Sequence, residues 1–318
     1  MIEAIQKQIQ DEVRRLLTDK RVDLVIGFEK GTLPLRSAPI FIHDSADTNR
    51  LIWNSFCENN LANYLTKINN QRVAIIAKGC DVRSIIALTI EKQIDRDQII
   101  IIGIPCQGMI DWRKVEREAN GELLETIEEN NQIIIRGEIF EQNLKRDAFL
   151  YMSCQTCQYR NPVIYDILIG EKVKEISKSK EYTDIAGLET KAPDERWAYF
   201  CEQTSKCIRC YACREACPMC YCEECFVDCT TPKWIEKGLN PSDVQIWQII
   251  RALHLAGRCC GCGACERACP MEVKLCYLTQ KISKDIRELF GFETGISFEQ
   301  PPPLATFNLN DNQDFIYG

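Results

Sequence analysis

The feature that most constrains this chain is a thirteen-residue stretch written twice in nearly the same letters. Residues 207–219 read CIRCYACREACPM and residues 259–271 read CCGCGACERACPM. The chain holds 20 cysteines and only two histidines, His43 and His254, in 318 residues. The amino terminus, MIEAIQKQIQDEVRRLL, mixes charge throughout and has no apolar core of a signal peptide, so the expected location is cytoplasmic and a disulfide scaffold is a poor reason for so many thiols. Two isolated histidines exclude a site built mainly on imidazole, which leaves thiolate as the ligating group.

Each repeat contains C-x-x-C-x-x-C-x-x-x-C-P: Cys207, Cys210, Cys213 and Cys217 before Pro218, then Cys259, Cys262, Cys265 and Cys269 before Pro270. This is the bacterial ferredoxin run for 4Fe-4S clusters. Thiolates at every third position let a loop wrap a cubane and ligate three of its irons while backbone N–H groups point at the sulfides. The proline ends the loop's path, so in two-cluster ferredoxins the fourth cysteine of each run serves the other cluster. The expected sets are therefore Cys207, Cys210, Cys213 and Cys269 for one cluster, and Cys259, Cys262, Cys265 and Cys217 for its neighbour. A structural zinc scaffold is the competing reading, but a zinc ion wants four ligands from two C-x-x-C pairs, and each run here carries one cysteine too many. Met219 and Met271 read as apolar filler, because thioether is a weak partner for iron.

Between the repeats, CPMCYCEECFVDC adds Cys220, Cys222, Cys225 and Cys229, a candidate fourth metal site open to iron–sulfur or zinc. Cys201, Cys260 and Cys276 read as alternates or as buried reduced thiols, and Cys57 as a buried one.

The first half reads differently. Ile2, Ile5, Ile9, Val13 and Leu16 draw one apolar stripe along a helix. VDLVIGF, APIFI and RVAIIA read as strands and residues 58–68 as a helix. In RVAIIAKGCDVRSIIALTIEKQIDRDQIIIIGIPCQG, a strand ends at Gly79, Asp81 can cap a helix, and a second apolar strand follows, which makes a βαβ unit with parallel strands. Cys80 and Cys106 then both leave the carboxyl edge of the sheet, where open α/β folds place ligands. A strand over 148–152 would deliver Cys154 and Cys157 to the same rim, so these four thiols are candidates for a third 4Fe-4S cluster. Residues 171–184 read as a solvated helix leading into a linker around 187–193. The expected architecture is an α/β parallel-sheet N-terminal domain (1–190), an α+β ferredoxin-like domain with helical flanks (191–290), which closes on a helix near 272–290, and a tail (291–318).

AKGCDVRSIIAL (77–88), IIGIPCQGMID (101–111) and the SCQTC that follows resemble the cluster-bearing domain of beta subunits of deazaflavin-reducing hydrogenases and deazaflavin-linked formate dehydrogenases, over residues 20–160. CIRCYACREACPMCYCEECF and HLAGRCCGCGACERACP are similar to the ferredoxin half of fused proteins that accompany formate dehydrogenases, hydrogenases and heterodisulfide-reductase-like flavoproteins in anaerobes. The resemblance implies an iron–sulfur relay subunit with Cys80, Cys106, Cys154 and Cys157 as ligands. Its partners would be a formate dehydrogenase or hydrogenase catalytic subunit and a heterodisulfide-reductase-like flavoprotein, and the bond-making chemistry would lie in those partners. Beta subunits of that family also hold FAD, which makes a flavin-containing deazaflavin or NAD(P) oxidoreductase the alternative; no G-x-G-x-x-G occurs here, and the family's sheet domain is longer than the stretch before the linker. A net charge of −7 argues against nucleic acid as a partner, and apolar runs such as IIIIGI are too short to insert directly into a membrane.

Overall fold

A computed structural model describes residues 2–306, apart from 69, 130 and 178–180, together with residues 309 and 310. The chain divides into two compact units, Met1–Val82 with Asp95–Ile176, and Arg83–Ile94 with Ser177–Gly318.

In the first unit, helix α1 (Ile2–Thr18) buries Ile9, Val13, Leu16 and Leu17, the stripe its spacing draws. Strand β1 (Leu24–Lys30) pairs antiparallel with β2 (Ser37–Ile42) and parallel with β3 (Val73–Ala77). Helix α2 (Gly79–Ile90) leaves β3 at once and leads to β4 (Ile99–Gly103), which lies parallel to β3 with Ala77 opposite Gly103. Both strands are almost wholly buried, as a parallel sheet requires, and each buried isoleucine contributes roughly 1.5–3 kcal/mol. Asp81 supports the start of α2 by accepting the Lys78 N–H at 2.8 Å. The stretch read as a helix over 58–68 is a 3-10 helix from Leu61 to Lys67, opened by the Asn60 side chain, which accepts the Ala62 N–H.

After the short helix α3 (Trp112–Glu118) comes an antiparallel sheet that the apolar pattern does not announce: β5 (Glu125–Glu129), β6 (Gln132–Arg136) and β7 (Glu141–Lys145). Only β6 buries alternate residues, Ile133 and Ile135, against Phe56, Ile110, Val115 and Leu150. Its outer rows are charged, and register places Arg136 between Glu125 and Glu141, with ion pairs of 3.1 and 2.8 Å. The strand expected over 148–152 does not form. Arg146 is buried and ties the chain to the carbonyls of Gln107 and Gly108 and to Ser55, so residues 146–149 turn as a 3-10 helix and a single bridge, Ile110 to Leu150, remains. Helix α4 (Met152–Gln155) follows, and β8 (Ile167–Leu168) completes a mixed five-stranded sheet in the order β2-β1-β3-β4-β8.

The second unit differs from the α+β expectation: among the described residues it contains helices and loops and no strand. Its segments outside the cysteine loops carry helical periodicity instead of alternation. These are α5 (Thr183–Glu189), α6 (Pro193–Ser205), α8 (Pro241–His254) and α10 (Cys276–Phe290), while the four-residue helices α7 (Ala212–Glu215) and α9 (Ala264–Arg267) lie within the cysteine loops. Pro193 and Pro241 open their helices at the first position, where the missing N–H costs nothing. Residues 171–177 are not helical, 178–180 of that expected helix lie outside the described residues, and α5 runs from the last two residues of that expected helix into the first part of the expected linker. Glu189 pins α5 to α10 through Lys281, at 3.0 Å, and Lys284. Buried Trp247 on α8 organises the core with Val227, Ile235, Val273 and Leu275. Of the expected tail, 307, 308 and 311–318 lie outside the described residues. Among the described residues no helix is long and apolar enough to cross a membrane.

Candidate metal centres

The two repeats fold alike because the same backbone twist recurs at matching positions. Arg209 and Gly261 lie left-handed (φ 51° and 68°), as do Tyr211 and Gly263 (φ 60° and 72°). Each second pair caps a four-residue helix, α7 or α9, that carries the third cysteine of its run, Cys213 or Cys265. In both loops the twist turns a backbone N–H onto the first sulfur: Arg209 donates to Cys207 Sγ and Gly261 to Cys259 Sγ, each at 3.4 Å. Glycine adopts this conformation freely, whereas Arg209 and Tyr211 each cost about 1–2 kcal/mol there. Side-chain contacts offset that cost. The Arg209 guanidinium donates to the carbonyls of Glu236 and, at 2.6 Å, Gly238, and to the Tyr211 hydroxyl at 3.0 Å, while the Tyr211 ring stands edge-on to Trp247.

Each loop borders a hollow that the other run completes. The first is lined by Cys207, Cys210 and Cys213 together with Cys269. The second is lined by Cys259, Cys262 and Cys265 together with Cys217, and Cys260 and Cys276 also reach it. Among the described residues no three Cys, His, Asp or Glu side chains converge closely enough to hold a single metal ion. Four thiols spaced around a hollow fit a polynuclear cluster better than one zinc ion.

The electrostatics agree with that fit. Burial pushes the Cys213 thiol up to about 12 and Cys259 up to about 11, and raises Cys269. Such thiols ionise only when positive charge enters the hollow. The Cys217–Cys220 hydrogen bond raises Cys217 and draws Cys220 down to about 6, and the Cys276–Cys265 bond likewise raises Cys276 and lowers Cys265. Arg251, on α8 and only 3% exposed, donates to the Cys213 carbonyl at 2.9 Å and leaves its Nε without a partner. Nothing in the repeat spelling points to this residue; its one signal is a basic side chain on the buried face of α8, beside Trp247 and Gln248.

At the carboxyl edge of the first sheet, β3 ends before Cys80 and β4 before Cys106. The loop carrying Cys154 and Cys157 folds over that edge. The Arg160 carbonyl accepts the Cys106 N–H at 2.8 Å, and a Cβ on Gly79 would stand 2.1 Å from the Tyr159 carbonyl oxygen, so only glycine admits the loop so close to Cys80. Gly108 (φ 101°) donates its N–H to Cys106 Sγ at 3.3 Å, and a Cβ there would stand 3.3 Å from Cys154 Cβ. Burial pushes the Cys106 sulfur up to about 11, Cys154 pushes the same way, and Lys78 and Arg146 oppose. Lys78 is fully buried, paired with Asp81 at 3.0 Å, bonded to the Asn59 carbonyl at 2.9 Å and within electrostatic reach of Cys80 and Cys106. Lys78 and Arg146 are the contributors to this rim that the cysteine pattern cannot show.

Four further thiols belong to the insert. Cys220 faces Cys217, Cys225 and Cys229 share one turn, and Cys222 is exposed. Cys201 accepts from Gln245 at 3.3 Å, Cys260 lies 3.0 Å from the Ser84 hydroxyl, and burial pushes Cys57 up to about 12. His43 meets the Asp23 carbonyl and His254 the Phe226 ring.

No protein-family model matches the chain. The F420-reducing [NiFe] hydrogenase complex from Methanosarcina barkeri contains a chain 12% identical, with a TM-score of 0.37, covering 49% of this chain and 59% of that one, a likeness too distant to bear on the fold. In sequence the chain is 26% identical to the F420-dependent formate dehydrogenase 1 subunit beta of Methanococcus maripaludis, across 92% of this chain and 91% of the relative. It is 25% identical to the F420-dependent formate dehydrogenase subunit beta of Methanocaldococcus jannaschii, across 90% and 91%. Over nine-tenths of its length, then, this chain is similar to beta subunits of F420-dependent formate dehydrogenases.

Proposed function

We propose that the chain is the iron–sulfur electron-transfer subunit of an anaerobic oxidoreductase complex. The observation that carries this reading is the exchange of fourth cysteines between two thiol-lined hollows. Cys207, Cys210, Cys213 and Cys269 would hold one 4Fe-4S cluster, and Cys259, Cys262, Cys265 and Cys217 the other. Cys80, Cys106, Cys154 and Cys157 would hold a third at the sheet edge. Such clusters, when bound, accept and release single electrons.

The chain's residues prepare the sites. Left-handed turns aim N–H groups at sulfur, which stabilises thiolate. Trp247, Val273 and Leu275 line the first hollow and exclude water, which strengthens every charge interaction within it. Buried Lys78 and Arg251 set positive charge beside thiols that would otherwise resist ionising. The relatives' names support a formate dehydrogenase catalytic subunit as one partner; a hydrogenase in its place, a heterodisulfide-reductase-like flavoprotein as the other partner and a cytoplasmic location are proposed from the resemblance of the cysteine runs alone. A second reading, a flavin-bearing subunit acting on the deazaflavin F420, is supported by the F420 dependence of the relatives.

Purification without oxygen, with iron, acid-labile sulfide, zinc and extractable flavin measured on the same sample, tests both. Three clusters correspond to about twelve irons with equal sulfide. Zinc in place of iron and sulfide overturns the relay, and stoichiometric FAD selects the second reading.

A further inference from the structure

Burying a guanidinium costs several kcal/mol unless negative charge accompanies it. Arg251 is buried, and among the described residues it makes no ion pair with a carboxylate. The groups acting on it most are sulfurs from both cages: Cys265 and Cys217 of the second hollow, Cys213 of the first, and Cys220 beside Cys217. Its charge also reaches Cys259. One end is fixed by the bond to the Cys213 carbonyl, and its Nε remains without a partner. The bond to the Cys213 carbonyl holds the side chain against the first cage, and its charge reaches Cys217, Cys259 and Cys265 of the second. A thiolate-ligated cluster is an anion that gains one more negative charge on reduction, so a fixed cation at that position favours the reduced form of each.

Resting on the two-cluster reading, we propose that Arg251 is the shared countercharge of both cages, a positioning residue that raises the reduction potentials of the two clusters.

The test uses the full chain, purified anoxically with its clusters, as wild type, Arg251→Gln and Arg251→Lys. Iron and sulfide are counted, and an EPR-monitored redox titration reads the midpoint of each cluster. Arg251→Gln is expected to shift the reduction equilibrium of both clusters toward oxidised by at least tenfold, ~59 mV for a one-electron couple. Arg251→Lys, which keeps the charge without the fork, is expected to stay near wild type. Unchanged midpoints in a fully loaded Arg251→Gln, or a shift in only one cluster, overturns the proposal. Should Arg251→Gln fail to load, Arg251→Lys decides alone: clusters at wild-type midpoints support the shared charge, whereas shifted midpoints or failure to load overturn it in favour of a purely structural fork. Absence of iron and sulfide from the wild type would instead end the two-cluster reading itself.

Discussion

The Lys78–Asp81 pair offers the sharpest quantitative test of how the first unit is held together. Both side chains are essentially inaccessible, 1% and 0% exposed, and lie 3.0 Å apart. Asp81→Asn keeps an oxygen able to accept the Lys78 N–H that opens α2, but removes the negative charge. Lys78 is then left with the Asn59 carbonyl and the face of Phe28, 4.8 Å away. Breaking a buried pair from one side costs about 3–5 kcal/mol. Because the helix-opening bond survives, the lower end applies, about 3 kcal/mol or roughly a 150-fold larger opening equilibrium. Asp81→Ala also loses that bond and should cost about 1 kcal/mol more. The double variant Lys78→Met/Asp81→Asn removes both charges and should return to within about 1 kcal/mol of wild type. Amide hydrogen exchange of β3 and the first turn of α2 reads these changes locally, without assuming that both units unfold together. Since Lys78 also senses Cys80 and Cys106, the cost of Asp81→Asn should be smaller in cluster-loaded protein than in cluster-free protein. A cost below 1 kcal/mol for Asp81→Asn, or a double variant as unstable as the sum of its parts, would refute the account of this pair.

Crossed ligation predicts that Cys269→Ala loses the cluster framed by the first run and Cys217→Ala the one framed by the second; EPR of each reduced variant shows which signal disappears, and loss of each run's own cluster would contradict it. Trp247→Ala removes the largest buried side chain of the second unit and a wall of the first hollow, so it should cost about 3–5 kcal/mol in urea unfolding of the anoxic protein and lower iron retention. Glu189 is held below its ordinary value of 4.5 by Lys284 and Lys281. Because its folded pKa is the lower one, the α5–α10 contact it supports is complete above about pH 4.5 and fades as pH falls through the folded value. Exchange in α5 should accelerate over that window, and Glu189→Gln should abolish the pH dependence.

Local chemistry fixed much of what the sequence determines. Repetition of the cysteine run, with proline closing each copy, names the eight thiols that border the two hollows, because a loop's ligand spacing is a property of consecutive residues. The βαβ unit was equally legible: five buried residues in β3, a helix with Asp81 in its first turn, and a second apolar strand oblige Cys80 and Cys106 to leave the same edge. Tertiary structure decided what depends on residues distant in sequence. The β5–β7 sheet has charged outer rows whose pairing register no apolar period reveals. Segment 146–149 turns because Arg146 finds carbonyls some forty positions earlier. Above all, the buried cations beside the sulfurs, Lys78, Arg146 and Arg251, look ordinary as letters; only packing, which removes water and lowers the dielectric around them, turns each charge into a determinant of the site.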